Sequence, residues 1–406
     1  MADGLLVPVF FSVLLAWAVL GAAVAGVYAI RSWRDGRLRR AVAWLNHSSS
    51  QSPRDVAAAL DGLIGRLPAT FLIARLADPS IPDACGRALC VWLAGHSRGR
   101  LVACASTTKR RSAGCRAGAL RVLVRAGCDE ALPLLERALA DGDPQLVGVA
   151  VNLLGSLSQR RAALALIGAL RAGRFQASRI ATALDRFPLP IADLLSPLAA
   201  DPNPIARFWG ATLLSRYGNA DGVADEVAGL VRDANPQVRK AAIETLGALG
   251  GAHAAKLALG LLGDPVWYVR AHAARALGDL GRTDLAEHVL ALLADRHWWV
   301  RQAAKEALEK MGPGVWRDVI KCLDHADPFA RNAAAEVLQN LGVLDSLVVL
   351  EATSEHPAPE KIDALRKIAA AGGVRMTNAL LERADAHLAQ RIRALLDTLG
   401  LRAAGI

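Results

Sequence analysis

Aromatic residues are scarce in this sequence of 406 residues: they make up 5% of it, with only three tyrosines and seven phenylalanines. Strands favour aromatic and β-branched residues, so this scarcity argues against a fold built on β-sheets. Cysteine is also rare, with six residues at irregular spacings and no C-x-x-C pair. A disulfide framework or a zinc site is therefore not expected, and the cysteines are interpreted as small buried thiols in a reducing compartment.

Apolar residues, in contrast, make up 53% of the chain, and Ala, Leu and Val dominate them. This composition favours helices that pack through small side chains. The net charge of +10 is uneven, because residues 201–406 hold 24 Lys or Arg against 25 Asp or Glu, which leaves 24 against 13 in residues 1–200. The whole basic excess lies in the N-terminal half.

Residues 5–30 contain no charged side chain. A helix of this length measures about 39 Å and exceeds the ~30 Å hydrocarbon core of a bilayer. Because arginines follow at once, the positive-inside rule predicts that the N-terminus lies outside and the rest in the cytoplasm. We therefore expect a single-pass transmembrane anchor at residues 1–31 in a bacterial inner membrane, and a basic juxtamembrane linker at 32–52. A cleaved signal peptide is the competing interpretation, although Asp3 gives its N-terminal region the wrong charge.

A repeated module fills the remainder. It contains an Asp, often a Pro, a Val-Arg pair, an Ala-rich apolar turn, and a Gly eleven residues after the Arg, as in residues 264–281. The Arg position serves as the anchor of each copy, and eleven anchors give a period of about 31 residues. The anchors are Arg54, Ala84, Arg116, Val147, Ser178, Arg207, Arg239, Arg270, Arg301, Arg331 and Lys361.

Each repeat is interpreted as two helices, a short first one such as 285–293 and a second one such as 300–310. The Gly after the second helix should stop it with a positive φ. The Asp six residues before the anchor is expected to cap the second helix and to contact the anchor Arg of its own or a neighbouring repeat. One helical pair cannot bury its apolar stripe, so the copies must stack.

The recurring Asp-Pro, Val-Arg, Ala-Ala and Leu-Gly pattern resembles the HEAT repeat family, in the short bacterial form that phycobiliprotein lyases share. The resemblance covers about 85% of the chain and implies an all-α fold: a HEAT-like α-solenoid of about 11 two-helix repeats at residues 53–406, behind the transmembrane helix. The pattern is interrupted at 97–115, where a loop is expected, and at 171–200, which contains Pro188, Pro190 and Pro197.

No catalytic constellation stands out, and no catalytic, metal-binding or cofactor-binding residue is predicted. Residues 95–99 match G-x-S-x-G, but a nucleophile elbow requires a strand before it, and a repeat helix precedes this motif instead. The protein is therefore expected not to be an enzyme, and no cofactor or small-molecule substrate is expected. Walker, dinucleotide and H-E-x-x-H motifs do not occur in the sequence.

Residues 84–128 include nine basic residues and no acidic one. A solvated face, anionic lipid headgroups and an acidic protein partner all remain open for these basic groups. A nucleic-acid partner is not expected beside a membrane anchor and without stacking aromatics. The predicted lipid-binding or acidic-partner residues are Arg31, Arg34, Arg37, Arg39, Arg40, Arg98, Arg100, Lys109, Arg110 and Arg111.

Aromatic residues precede three successive anchors. Trp267 and Trp298 lie three residues before an anchor, where a packed staple over the helix start is expected. Tyr268, Trp299 and Phe329 lie two residues before it and should form an outward row. Exposed aromatic rows near Arg are typical of binding hot spots, so all five are predicted partner-binding residues, with core packing as the alternative.

These patterns predict a membrane-tethered cytoplasmic scaffold or adaptor that binds a membrane-associated protein. A membrane glycosyltransferase of polysaccharide synthesis, or another envelope-assembly enzyme, is the hypothesis for that partner. Two alternatives from other classes remain: a bilin lyase or chaperone, which the family resemblance allows, and a nucleic-acid-binding array that uses residues 84–128.

Overall fold

The structure is a computed structural model that describes residues 3–47, 53–76, 81–106, 112–173, 175–217, 222–354, 358–368 and 384–398, with the backbone only at 3–16, 18, 53, 54 and 344. Every regular element within these residues is helical, which confirms the predicted all-α class. The first eleven helices are α1 (Asp3–His47), α2 (Pro53–Ile64), α3 (Ala69–Arg75), α4 (Asp83–Ser106), α5 (Ala113–Arg125), α6 (Ala131–Ala138), α7 (Pro144–Gly155), α8 (Arg160–Ala172), α9 (Ala177–Asp185), α10 (Ala192–Leu195) and α11 (Pro204–Leu214).

The next eleven helices are α12 (Val223–Leu230), α13 (Pro236–Leu249), α14 (Ala252–Leu261), α15 (Trp267–Asp279), α16 (Ala286–Leu290), α17 (Trp298–Met311), α18 (Trp316–Val319), α19 (Pro328–Asn340), α20 (Val343–Thr353), α21 (Pro359–Ile368) and α22 (Ala386–Thr398). Short 3₁₀ helices adjoin α10, α11, α16 and α18, namely Ser196–Ala200, Ser215–Tyr217, Thr283–Leu285, Ala291–Ala294, Pro313–Val315 and Ile320–Asp324.

The chain divides into two compact units. The first comprises residues 1–169 and 174–189, and the second comprises 170–173 and 190–406. The boundaries lie between residues 169 and 190 and so overlap residues 171–200, where the repeat pattern of the sequence is interrupted by prolines. Each unit buries its own apolar side chains, such as Leu120 and Leu123 in the first and Ala303 and Ala304 in the second.

In the first unit, helix α1 is continuous from Asp3 to His47, so the predicted linker is helical as far as His47. Leu38 and Ala41 are buried, and α1 contacts α2 and α4. Helix α4 also runs on to Ser106, with a kink at Ser97. The loop expected at 97–115 is therefore wrong at 97–106, which belong to α4, and at 113–115, which belong to α5, while 107–111 lie outside the described residues.

The predicted membrane anchor overlaps the N-terminal half of α1. Its residues 1–16 lie outside the described side chains, and the apolar side chains that follow, including Trp17, Val19 and Val27, are exposed. Among the described residues, no single helix is both long enough and apolar enough to cross a membrane. Only two bent helix pairs, α2–α3 and α19–α20, meet both criteria when their two helices are taken together. The anchor stays a prediction.

The second unit contains the regular repeats. Helices α11, α13, α15, α17 and α19 are the second helices, and each contacts the next in this series. Helices α12, α14, α16 and α18 are first helices and pack against the second helix of their own repeat, and α12 and α14 also contact that of the preceding repeat. The predicted stop glycines have positive φ in this unit at 250, 281, 312 and 342, which confirms their role.

Successive second helices approach closely through small residues. A Cβ atom added at Gly278 of α15 would lie 2.6 Å from the Cα atom of Ala307 in α17. Gly247 stands at the equivalent place on α13, where an added Cβ would meet the Cβ of Ala276 at 3.0 Å. These contacts explain the glycine that two copies of the module, at Gly247 and Gly278, contain three residues before the stop glycine.

Candidate partner-binding surface

A ladder of arginine and aspartate side chains positions the loops before the second helices. Three anchor arginines donate from Nε and Nη2 to the Asp carboxylate of the following repeat, at 2.6 and 2.9 Å for Arg207 with Asp233. The same two contacts measure 2.8 and 2.9 Å for Arg239 with Asp264 and for Arg270 with Asp295. The arginine therefore contacts the neighbouring repeat, which was one of the two predicted possibilities.

The same arginines also hold the loop of their own repeat. Nη1 of Arg270 donates to the backbone carbonyl of Asp264 at 2.7 Å, and Nη1 of Arg239 donates to that of Asp233 at 2.9 Å. Each guanidinium is thus fixed on one side by its own loop and on the other by the next carboxylate. Bidentate pairs of this kind constrain direction as well as distance.

The arginines of the ladder lower the pKa values of these carboxylates. Burial raises the pKa of Asp233 and Asp295, but the hydrogen bonds from Arg207 and Arg270, a backbone N–H bond and the positive charge nearby together outweigh it, so both pKa values lie below the usual range. In the first unit, Arg116 lowers the pKa of Asp141 in the same way.

The prediction that the Asp caps the second helix is wrong. Its carboxylate accepts the N–H two residues later, as Asp264 does from Val266 at 2.8 Å. The second helix starts three residues before the anchor, so the cap falls at the residue before that start. Side chains at that place accept the N–H two residues on: Asn203 from Ile205 at 3.0 Å, Asn235 from Gln237 at 2.8 Å and Asp327 from Phe329 at 2.9 Å.

Helices α15 and α17 lack these starting features. Their cap positions hold Val266 and His297, neither of which makes a side-chain cap bond. Their first helical residues are Trp267 and Trp298, whereas α11, α13 and α19 begin with proline. Loss of a cap typically costs about 1 kcal/mol. Proteins break such local rules chiefly at functional sites, so these two helix starts are candidates for a functional site.

The aromatic edge, as we call Trp267, Tyr268, Trp298, Trp299 and Phe329, is partly open to solvent. Trp298, Trp299 and Phe329 are 55, 56 and 61% exposed, while Trp267 and Tyr268 are half-buried. The expectation that Trp298 packs as a staple is therefore wrong: at the first helical turn its ring points away from the core. Binding by these residues stays a prediction.

Ring contacts join residues of the aromatic edge within one repeat and to the loop of the next repeat. Trp298 and Trp299 meet edge to face with centroids 4.6 Å apart. Trp267 stacks on His297 of the next repeat at 5.9 Å. Such contacts limit the side-chain freedom that a partner would otherwise have to remove on binding.

One residue beside this edge, His325, was not singled out from the sequence, and another, Arg301, was identified only as an anchor. His325 stands where the other strong repeats have Asp, and the guanidinium carbon of Arg301 lies 4.8 Å from the centre of the Phe329 ring. The signal was present in the sequence, because the series of aspartates six residues before the anchor stops at Asp295.

The predicted basic residues of α1 divide into two groups. Arg31, Arg39 and Arg40 are exposed, whereas Arg34 and Arg37 are half-buried. Arg37 donates from Nε and Nη2 to the carbonyls of Leu63 and Gly62 at the end of α2, both at 2.5 Å. Arg37 therefore joins two helices of the first unit.

The predicted basic residues at 98–111 lie partly outside the described residues, which include neither Lys109 nor Arg110 nor Arg111. Arg98 pairs with Glu130 at 2.6 Å, just beyond the acid-free stretch. Arg100 is exposed and makes no ion pair with a described residue.

The G-x-S-x-G match lies within α4. Ser97 sits at the helix kink with φ −139° and ψ 25°. The adjacent His96 contacts the Asp61 carboxylate through Nε2 at 2.8 Å and the Trp92 carbonyl through Nδ1 at 3.0 Å. Both contacts tie α4 to α2 and to itself. Across the described part of the chain, no group of three or more His, Cys, Asp or Glu side chains is placed to hold a metal ion.

The two-helix repeats define the class of protein as an α-solenoid. A sequence model of the HEAT repeats matches residues 191–265 and 254–315, which include the ladder and most of the aromatic edge. Residues 191–315 of this α-solenoid therefore match the HEAT repeats. The comparison with curated proteins gave no match.

Solved structures similar to this chain include an engineered protein with 16% identity and a TM-score of 0.39, which covers 82% of this chain and 99% of its own. Kap121p bound to Nup53p has 13% identity and a TM-score of 0.48, and the match covers 92% of this chain but half of Kap121p. Human deoxyhypusine hydroxylase has 19% identity and a TM-score of 0.27, covering 60% of this chain and 96% of the hydroxylase. At these TM-scores none of the three informs on function.

Proposed function

We propose that this protein is a non-enzymatic scaffold that binds another protein along the aromatic edge. The observation that carries the proposal is the exposure of Trp298, Trp299 and Phe329 at helix starts in neighbouring repeats. Aromatic side chains are enriched among the residues that dominate binding energy. Stacked repeats present extended surfaces, so a long contact with a protein is the physical expectation.

The scaffold acts at a membrane in this proposal. The uncharged stretch at residues 5–30 and the arginines that follow support a single-pass anchor with the repeats in the cytoplasm of a bacterial cell. A tether raises the effective concentration only of partners at the same surface. The partner is therefore a membrane-associated protein, and an envelope-assembly enzyme such as a glycosyltransferase is the first candidate to test.

The experiment is co-purification of the full-length protein from detergent extracts, with the bound protein identified by mass spectrometry. The variant that replaces Tyr268, Trp299 and Phe329 by Ala should lose at least nine-tenths of the bound partner, since a hot-spot residue costs about 2 kcal/mol or more on truncation. Retention of the partner by this triple variant would mean that these three residues pack within the repeats and do not bind the partner.

Ile205→Ala is the matched control. Ile205 lies two residues before its anchor, as the substituted residues do, and is 48% exposed. It should keep the partner, because the proposed surface is confined to the repeats with aromatic starts. A loss equal to that of the triple variant would mean that the effect comes from the repeat edge in general.

We infer a second, auxiliary role for the first unit, which is contact with anionic lipid headgroups. A groove of about 630 Å³ lies beside α1, and Arg31, Arg39 and Arg75 are among its lining residues. Asp35 neutralises part of this charge by pairing with Arg75 at 2.8 Å. Basic groups near an anionic surface each contribute about 1 kcal/mol.

A further inference from the structure

The Arg–Asp ladder stops at Arg301 although the arginine keeps its position. Nη1 of Arg301 donates to the carbonyl of Asp295 at 2.8 Å, as Nη1 of Arg270 does to Asp264 at 2.7 Å. The guanidinium is therefore held by its own loop in the usual way. Its Nε and Nη2, which bind a carboxylate in the three preceding rungs, have no carboxylate among the described residues.

His325 explains the missing carboxylate without any change in the loop. Its Nδ1 accepts the N–H of Asp327 at 3.0 Å, just as the Asp295 carboxylate accepts the N–H of His297 at 2.8 Å. Arg331 donates to the carbonyl of His325 at 2.7 Å, which repeats the contact of Arg301 with Asp295. Only the negative charge of the rung has been lost.

Two aromatic residues, Phe329 and Trp298, lie near Arg301. Phe329 lies over one face of the guanidinium, and a stacked guanidinium offers its edge donors to a planar acceptor. Trp298 stands three residues before Arg301 on α17, so the two side chains share one face of the helix. Two exposed rings near an arginine, one stacked on it and one on the same helix face, suit a carboxylate that carries an apolar neighbour.

We propose that the Nε and Nη2 edge of Arg301 is a receptor for a carboxylate of the partner protein, which takes the place of the missing aspartate. This inference rests on the proposed function of the aromatic edge. The partner segment bears an Asp or Glu next to an aromatic or Leu residue, which contacts Trp298 and Phe329.

A single carboxylate fits this place, which we call the Arg301 slot, better than a polyanion. Residues 301–350 contain seven acidic and six basic side chains, and Asp327 caps the helix beside the slot. Such a surface repels a phosphate backbone or an anionic bilayer, whose binding requires several uncompensated positive charges. One carboxylate instead completes a bidentate pair of the kind present in each preceding rung.

The test uses short random peptides displayed on phage and selected on the full-length protein in detergent. Selected peptides should carry the acidic and apolar pair, and Arg301→Ala should weaken them about tenfold or more. His325→Asp should weaken them as strongly although Arg301 is intact, because the new aspartate fills the slot. The thermal midpoint of His325→Asp should not fall, since this change completes a rung.

Ala326→Asp is the matched control, because it adds the same charge at an exposed neighbouring position outside the ladder. It should keep most of the peptide binding. Equal loss in Ala326→Asp and His325→Asp would overturn the slot and leave only a general charge effect.

Three further outcomes decide between this inference and the proposed function. Peptides that are lost in Trp298→Ala but unchanged in Arg301→Ala and His325→Asp would overturn the carboxylate receptor and leave the aromatic edge as a binding surface. Selection of no peptide would overturn both. Arg301-dependent retention on phosphatidylglycerol vesicles without acidic peptides would assign the slot to lipid and overturn the inference.

Discussion

Arg270 holds both carboxylate oxygens of Asp295 in the next repeat, at 2.8 and 2.9 Å, while it is itself nearly buried with a side-chain exposure of 8%. Asp295→Ala should leave this guanidinium without its anionic partner. Removal of one member of a buried pair typically costs about 3 kcal/mol, because the remaining charge stays desolvated. Urea unfolding should show this loss as a lower midpoint.

Asp284→Ala is the control for that measurement. Asp284 also pairs with an arginine, Arg282, at 2.6 Å, but the pair is within one repeat and its carboxylate is largely exposed. Its removal should leave the unfolding midpoint unchanged. Equal effects of the two substitutions would show that the ladder contributes nothing beyond an ordinary surface pair.

Acid should weaken the ladder in a defined direction. Asp233 and Asp295 have pKa values below the usual range in the folded protein, so their contribution to stability is complete above the unfolded Asp pKa of about 3.9. It is lost as the pH falls toward the lower folded pKa, where the folded carboxylates also take up protons. The difference in urea midpoint between wild type and Asp295→Asn should be constant near neutrality and shrink below about pH 4.

Asp284→Asn again distinguishes a specific effect from general acid unfolding, since its difference from wild type should stay close to zero at neutral pH. A difference for Asp295→Asn that grows as the pH falls would contradict the sign of the linkage.

Close packing between repeats predicts a cost for a single methyl group. Gly278→Ala would place a Cβ atom 2.6 Å from the Cα atom of Ala307, and backbone on both sides leaves little room for relaxation. Overpacking of this kind costs about 1–3 kcal/mol. Gly260→Ala in α14 is the matched control: its Cβ would meet nothing within 4 Å, so it should stabilise the helix by up to about 1 kcal/mol. Thermal unfolding should therefore separate the two substitutions in opposite directions.

The repeat architecture could be predicted because its signals are local. The Gly after each second helix adopts a positive φ at Gly281 and Gly312, as a helix stop requires, and the apolar turn packs against the next repeat. Not every copy behaves alike: Gly65 and Gly95 do not have positive φ, and Gly95 lies inside α4. The period identifies the module, but packing against the neighbouring repeat determines how each second helix ends.

Features that depend on stacking could not be predicted with the same detail. The sequence left open which repeat supplies the Asp for each Arg, because that choice depends on the distance between repeats. The cap was assigned to Asp264 since the second helix was expected to begin at the Val-Arg pair, and α15 begins two residues earlier. Exposure of Trp298 likewise follows from the first turn of α17, whose direction no local pattern indicates.

The arginines of α1 provide the last prediction, because they separate structural from lipid-binding roles on one helix. Arg37→Ala should destabilise the first unit, since it removes the donors to the carbonyls of Gly62 and Leu63 at the end of α2. Arg39→Ala should leave stability unchanged, because Arg39 is exposed and lines the groove beside α1. On vesicles that contain phosphatidylglycerol, Arg39→Ala should bind several-fold more weakly than wild type, with the difference reduced at high salt. Unchanged vesicle binding for a combined Arg31→Ala and Arg39→Ala variant would reject the lipid role and leave these residues as a solvated face.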